Sequence, residues 1–280
     1  MSKAWKIFVI ELFFFAATLL LGVFVTLRIE NIFQIAEAAN GYSDSFSSTA
    51  FVAYFLLASF IMYMISKSER FKKGRILFFR FAFYFSVFLG AMITLSTVFY
   101  EIFAMLIIII LLIFWSKRPI IALHNLLITL SISGIGAVMG RMFEPLIIAG
   151  LLTLFSIYDF IAVYKTKHMV KMATEMIKTK AIMGLVIPFS FSDLSDDLEK
   201  KKKKEFMVLG GGDLAFPLFL ISSITLTYGL FEGIVMVVFA CLGLLSSFLL
   251  FVTQKEKKPI PALPPIALLS LIGYLVIALV

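Results

Sequence analysis

Nine apolar runs occupy most of this 280-residue chain, and each is long enough, or nearly so, to cross a bilayer as a helix. Hydrocarbon offers a peptide group no hydrogen-bond partner, so a segment inside it has to satisfy its own N–H and C=O groups. A helix does this within a single run. The chain therefore reads as an all-α membrane protein with nine transmembrane helices. The runs are 5–27, 49–65, 76–98, 101–115, 120–139, 145–164, 207–228, 231–252 and 262–280. The fourth is short, and the turn before it, at Tyr100 and Glu101, is tight. With 61% hydrophobic and 15% charged residues, the chain is too apolar for a soluble domain of its length.

Basic residues provide an independent test of this count, because Lys and Arg concentrate in cytoplasmic loops. Lys3 and Lys6 precede the first run, and Lys67, Arg70, Lys72, Lys73 and Arg75 follow the second. Lys117 and Arg118 follow the fourth, a lysine-rich stretch within 165–204 follows the sixth, and Lys255, Lys257 and Lys258 follow the eighth. The alternate loops hold only Arg28 and Arg141, with Arg80 at the start of the third run. This alternation places the N-terminus in the cytoplasm and the C-terminus outside it. The net charge of +8 is spread as a topology signal rather than gathered in one basic module, which argues against a nucleic-acid partner. The first run is too long for a signal-peptide core and no small-residue cleavage site follows it, so it is expected to be retained.

Three segments follow from this layout. Residues 1–164 form a six-helix region, 165–205 a cytoplasmic loop and 206–280 a three-helix region. Within the loop, helix is expected as far as Gly184, with Pro188 as a stop, and 190–205 is expected to be polar and mobile. The apolar island 183–189 either lies on the membrane surface or is gripped by the protein. Residues 28–48, outside the membrane, include a candidate short amphipathic helix ending before Asn40-Gly41. The lysines at 200–204 are the kind of anchor that anionic lipid attracts.

Two aspartates lie inside these spans, Asp159 in the sixth and Asp213 in the seventh. A carboxylate in hydrocarbon costs at least a few kcal/mol and is a functional-site candidate by default. Asp159 stands six positions before Lys165, and Asp213 eight after Glu205. At ~1.5 Å rise per residue they lie roughly 9 and 12 Å below the cytoplasmic boundary. Antiparallel neighbours therefore bring both carboxylates to a similar level. A close pair shares one proton, so one member can act as base on a water while the other donates to a carbonyl. Proton relay and cation binding are the alternatives that depth alone leaves open.

The backbone around Asp213 adds to this. Gly210, Gly211 and Gly212 weaken the helix before it, and the Pro217 ring opposes the carbonyl of Asp213 itself. Irregular backbone at membrane depth needs protein or a wet cavity around it, so Asp213 is expected to face water. Before the last run, Pro259, Pro261, Pro264 and Pro265 argue for an extended segment near the level of the aspartates. That segment either borders a cleft for a strand-like peptide or simply makes a rigid start to the helix.

Three motifs are now in view: Tyr158-Asp159, Gly210-Gly211-Gly212-Asp213 and Pro261-Ala262-Leu263, in runs six, seven and nine. Together and in this order they resemble the presenilin and signal peptide peptidase family of intramembrane aspartyl proteases, over about residues 150–275. The resemblance implies that Asp159 and Asp213 are the catalytic pair. It implies that Tyr158, Gly210, Gly211, Gly212, Pro261, Ala262 and Leu263 shape the substrate cleft. The implied substrates are transmembrane helices or signal-peptide-like segments, and the implied chemistry needs no cofactor and no metal. The cytoplasmic N-terminus and Pro264 look presenilin-like, Pro217 looks like signal peptide peptidase, and Gly211 replaces a Leu common in eukaryotic members. The short loops suggest a microbial plasma-membrane protein; homo-oligomerisation stays open.

Other features are assigned blander roles. Glu11, in the first run, is expected to snorkel or pair locally. His124 is expected at the interface, and Cys241 as a small buried hydrophobe without a disulfide partner. Two His and one Cys do not assemble a zinc site. Gly134, Gly136 and Gly140 suggest close helix packing. A cation channel or proton-coupled transporter using the same acids is the rival reading. A prepilin-type peptidase leaves Tyr158-Asp159 and Pro261-Ala262-Leu263 unexplained.

Overall fold

Most of the chain is helical, as its apolar runs require. The computed structural model describes residues 3–40, 72–164, 182–198, 206–254 and 260–279. Among them are eight α-helices: α1 (Lys3–Asn40), α2 (Lys72–Ser96), α3 (Glu101–Lys117), α4 (Ile121–Met142), α5 (Pro145–Tyr164), α6 (Gly211–Thr227), α7 (Leu230–Thr253) and α8 (Leu263–Leu279). Two short strands, β1 (Gly184–Pro188) and β2 (Phe206–Gly210), lie between α5 and α6. Helices α1, α4, α5 and α7 are long and apolar enough to cross a membrane, and α6, α8 and 80–96 are shorter apolar helices. The tight turn at 97–100 is present. The run 49–65 lies outside the described residues.

Helix α4 is the hub, packing on α1, α2, α3, α6 and β1. Its small residues allow this. A Cβ on Gly134 would collide with the Gly90 carbonyl of α2, and one on Gly140 with Ser222 of α6. Leu218 of α6 fills a notch between Gly136 and Gly22 of α1, where either Cβ would strike it. The three glycines thus serve close packing, as their spacing suggests. Hydroxyls supply the glue that hydrophobicity cannot provide between helices in lipid. Thr18 donates to Thr129 Oγ1 (3.1 Å), Thr26 to Ser222 Oγ (2.9 Å) and Ser223 to the Phe143 carbonyl (2.6 Å). At the opposite end of α4 from His124, Arg141 bonds Glu30 at 2.8 Å, an ion pair that ties α4 to α1.

Several expectations change. Residues 28–40 are not a separate short helix but the continuation of α1. The seventh run does not begin as a helix at 207: 206–210 form β2, and α6 starts at Gly211. Residues 182–184 are not helical; β1 begins at Gly184 and is buried at all five positions, so the apolar island is gripped by the protein. The expected helix over 165–181 lies outside the described residues. Of the stretch expected to be mobile, 191–195 is a 3-10 turn, and Asp196 and Leu198 bond the backbone of Ile121 and Pro119 at 3.1 and 2.9 Å. Residues 199–205 lie outside the described residues.

What holds β1 explains why the chain leaves helix here. On one edge it pairs antiparallel with β2, Gly184 opposite Gly210. On the other edge Asn125 acts as a strand in miniature: its Nδ2 donates to the Val186 carbonyl and its Oδ1 accepts from the Val186 N–H, both at 2.8 Å. His124 Nε2 donates to the Gly184 carbonyl at 3.0 Å. His124 is not interfacial: it is fully buried, its ring parallel to that of Phe83 at 5.8 Å. Buried backbone needs such partners, and two side chains at the start of α4 supply them.

Three variants check this packing. Gly134→Val forces α4 off the Gly90 backbone and should cost about 1–3 kcal/mol, lowering the thermal midpoint in detergent. Gly150→Ala, where an added Cβ meets nothing within 4 Å, should leave that midpoint unchanged. Asn125→Leu strands the Val186 N–H and C=O and should destabilise by about 1–3 kcal/mol per unsatisfied group, read by the same melting curve.

Candidate active site

The site is assembled from two helix starts. An α-helix leaves its first N–H groups without intrahelical partners, and those donors suit an anionic group. At the start of α6, Gly211 donates its N–H to the Met183 carbonyl at 2.8 Å, carrying the β1–β2 pairing into the helix. Gly210 donates its N–H to Asp213 Oδ2 at 3.2 Å, the back-reaching half of a capping box. Asp213 is thus held in the first turn of α6 and is half-buried. The glycines are needed for closeness: a Cβ on Gly211 would sit 2.9 Å from the Met183 oxygen, and one on Gly210 3.1 Å from Asp213 Oδ2. Pro217 lies inside α6, one turn beyond Asp213, and is buried.

The second helix start belongs to α8. Pro261 is buried, Ala262 half-buried, and α8 begins at Leu263. The prolines therefore do not exclude helix at 264 and 265. They occupy its first turn, where a missing N–H breaks no intrahelical bond. Pro264 and Pro265 have no N–H, so of the first three residues of α8 only Leu263 carries a backbone donor, and it lies near the Asp159 carboxylate. Pro259 lies outside the described residues.

Asp159 is only 5% exposed, whereas its neighbour Tyr158 is 54% exposed. Adjacent positions on a helix point about 100° apart, so α5 turns Asp159 inward and Tyr158 outward. Helix α5 packs on α6 and α8. Phe155, one turn before Asp159, stacks on Phe216, one turn after Asp213, with centroids 4.3 Å apart and planes inclined by 20°. This clamp joins the faces that carry the two acids. Asp159 and, from α1, Glu11 lie close enough to Asp213 for a charge on either to be felt there. The Tyr158-Asp159, Gly-rich and Pro-Ala-Leu motifs thus meet at one place, through Phe155–Phe216 and through Leu263.

Sequence reading missed three contributors: Asn125 and His124, which fix β1, and Glu11. Glu11 does not snorkel. It is 6% exposed, and its Oε2 has no hydrogen-bond partner among the described residues. An acid inside a span was the only signal, and it could not give the side chain's direction.

The fold and the family are shared with known proteins. Two solved structures of a presenilin family intramembrane aspartate protease have the same fold. One, in space group C222, superposes with a TM-score of 0.62 at 17% identity, over 97% of this chain and 98% of that one. The other, in space group P2, gives 0.55 at 21% identity, over 95% and 96%. No curated protein matches the chain by sequence. The family described as signal-peptide peptidase, presenilin aspartyl protease matches residues 10–280. With all but its first nine residues inside that match, the chain belongs to this family and is an intramembrane aspartic endopeptidase.

Proposed function

We propose that Asp159 and Asp213 are the acid–base pair of this protease, and that it cleaves transmembrane-helix substrates in the plasma membrane of a microbe. One observation carries the assignment: Phe155, one turn before Asp159, stacks on Phe216, one turn after Asp213, so α5 and α6 are locked together at the level of the two carboxyls, with the start of α8 packed beside them. The pair holds one proton between its members. The ionised carboxyl takes a proton from water as the water attacks the scissile carbonyl; the protonated one donates to that carbonyl's oxygen. Roles then reverse, and a proton passes to the leaving amine. The aspartates themselves supply both acid and base, and no covalent intermediate forms.

A helical substrate hides its carbonyls in its own hydrogen bonds and has to open before water can attack. The open edge of β2 suits the opened stretch. Among the described residues the sheet has two strands, and β1's far edge is taken by Asn125 and His124. A strand added to β2 gains main-chain hydrogen bonds beside the first turn of α6, with Gly210, Gly211, Gly212, Tyr158 and 261–263 bordering the cleft. Nine spans with a cytoplasmic N-terminus, the second at 49–65, complete the topology. The first six then carry Asp159, the last three carry Asp213 and Pro261-Ala262-Leu263, and the 165–205 loop joins them.

Asp159→Asn and Asp213→Asn should each lower cleavage of a membrane peptide by purified protein at least about 100-fold, since acid–base groups contribute on that scale. Full activity in either variant would refute the assignment. For the docked strand, N-methylating alternate amides of the opened substrate stretch should cut cleavage about tenfold in one alternation set, and far less in the other. Equal effects from both sets would exclude strand addition.

A further inference from the structure

Glu11 is buried with an oxygen that no described residue satisfies. Leaving a carboxyl so placed is costly unless it has a use, because neither lipid nor neighbouring apolar side chains replace the water it gave up. Its level matches that of the two aspartates. It stands five positions after Lys6, about 7.5 Å along the helix, against roughly 9 and 12 Å for the pair. Helix α1 packs directly on α6, which carries Asp213, and on β1, which leads through Met183 to the start of α6. Glu11 lies close enough to Asp213 for a charge on one to be felt by the other.

From this burial, level and packing we infer that Glu11 is a third carboxyl of the catalytic pocket, a positioning residue that sets the pH range over which the aspartate pair works. The inference rests on the assignment of Asp159 and Asp213 as that pair. A pair that works with one shared proton is active between two protonation steps. A neighbouring anion favours keeping a proton on the pair, so both limbs of the activity profile lie at higher pH than without it. The groups around Glu11 are few. On α6 the only titratable side chain is Asp213, and on β1 there is none. On α4 they are the buried His124 and, at the far end, Arg141, which bonds Glu30. On α7 they are Cys241 and, in its first turn, Glu232; on α1 itself, Lys6 is exposed.

The test is the pH dependence of kcat/KM for cleavage of one membrane peptide by wild-type, Glu11→Gln and Glu11→Leu proteins. Asp159→Asn and Asp213→Asn are run alongside. Glu11→Gln keeps the shape of the side chain and removes its charge, and both limbs should move to lower pH by about half a unit or more. Glu11→Leu, which also removes the polar group, should move them the same way. A purely structural role would lower activity at every pH and leave the limbs in place. If the aspartate variants are inactive and the Glu11→Gln limbs coincide with wild type, the inference about Glu11 is wrong and the pair stands. If either aspartate variant retains full activity, the pair assignment fails and this inference fails with it.

Discussion

A buried peptide group that leaves a helix has to find another partner, because apolar surroundings supply none. The centre of this protein is built around that requirement. Between α5 and α6 the backbone gives up helix for a strand, and each edge of that strand is accounted for. β2 takes one edge; the amide of Asn125 and the imidazole of His124 take the other. The hydrogen-bond pattern then runs on through Met183 and Gly211 into the first turn of α6, where Asp213 closes it by accepting from Gly210. Asp213 is thus positioned by a continuous chain of satisfied backbone groups that begins on α4.

The same rule, applied at a second helix start, positions Asp159. Proline is usually read as a helix breaker, yet in the first turn of α8 it removes donors that would otherwise need partners. With Pro264 and Pro265 silent, Leu263 is the only one of the first three residues of α8 with an N–H, and it lies near Asp159. The Pro-Ala-Leu-Pro-Pro sequence therefore permits a sharp start to the helix with few donors left to satisfy. The Phe155–Phe216 stack fixes the separation of α5 and α6 one turn away from each acid. In membrane interiors such packing matters more than in water, because apolar burial alone does not distinguish protein from lipid.

Much of this was legible in the residues. Apolar run length marks the helices, and the boundaries of α4, α5, α7 and α8 fall within a few residues of the runs. The glycines of α4 announced close helix contacts, and the Gly134–Gly90 and Gly136–Leu218 approaches bear that out. The order of the three short motifs carried the family. What misled was local propensity around 183–210. Helix is expected up to Gly184 and again from 207, but Gly184 and Gly210 face each other across a strand pair that Asn125, some 60 positions away, holds on its other edge. Glu11 and His124 misled for a related reason: each lies near the end of its run, where an exposed polar head is the ordinary outcome, and each is buried instead.

The division between the two sources of information has a physical basis. Helix length, the spacing of small residues and the presence of an acid in an apolar run are properties of neighbouring residues, so the helical membrane character, the family and the acids worth attention can be read from the residues alone. Which backbone groups pair outside the helices, and which way Asp159, Tyr158, Glu11 and His124 point, depend on contacts between residues tens to hundreds of positions apart. Those are products of packing: the β1–β2 pair, the start of α8 against α5, and the burial of Glu11.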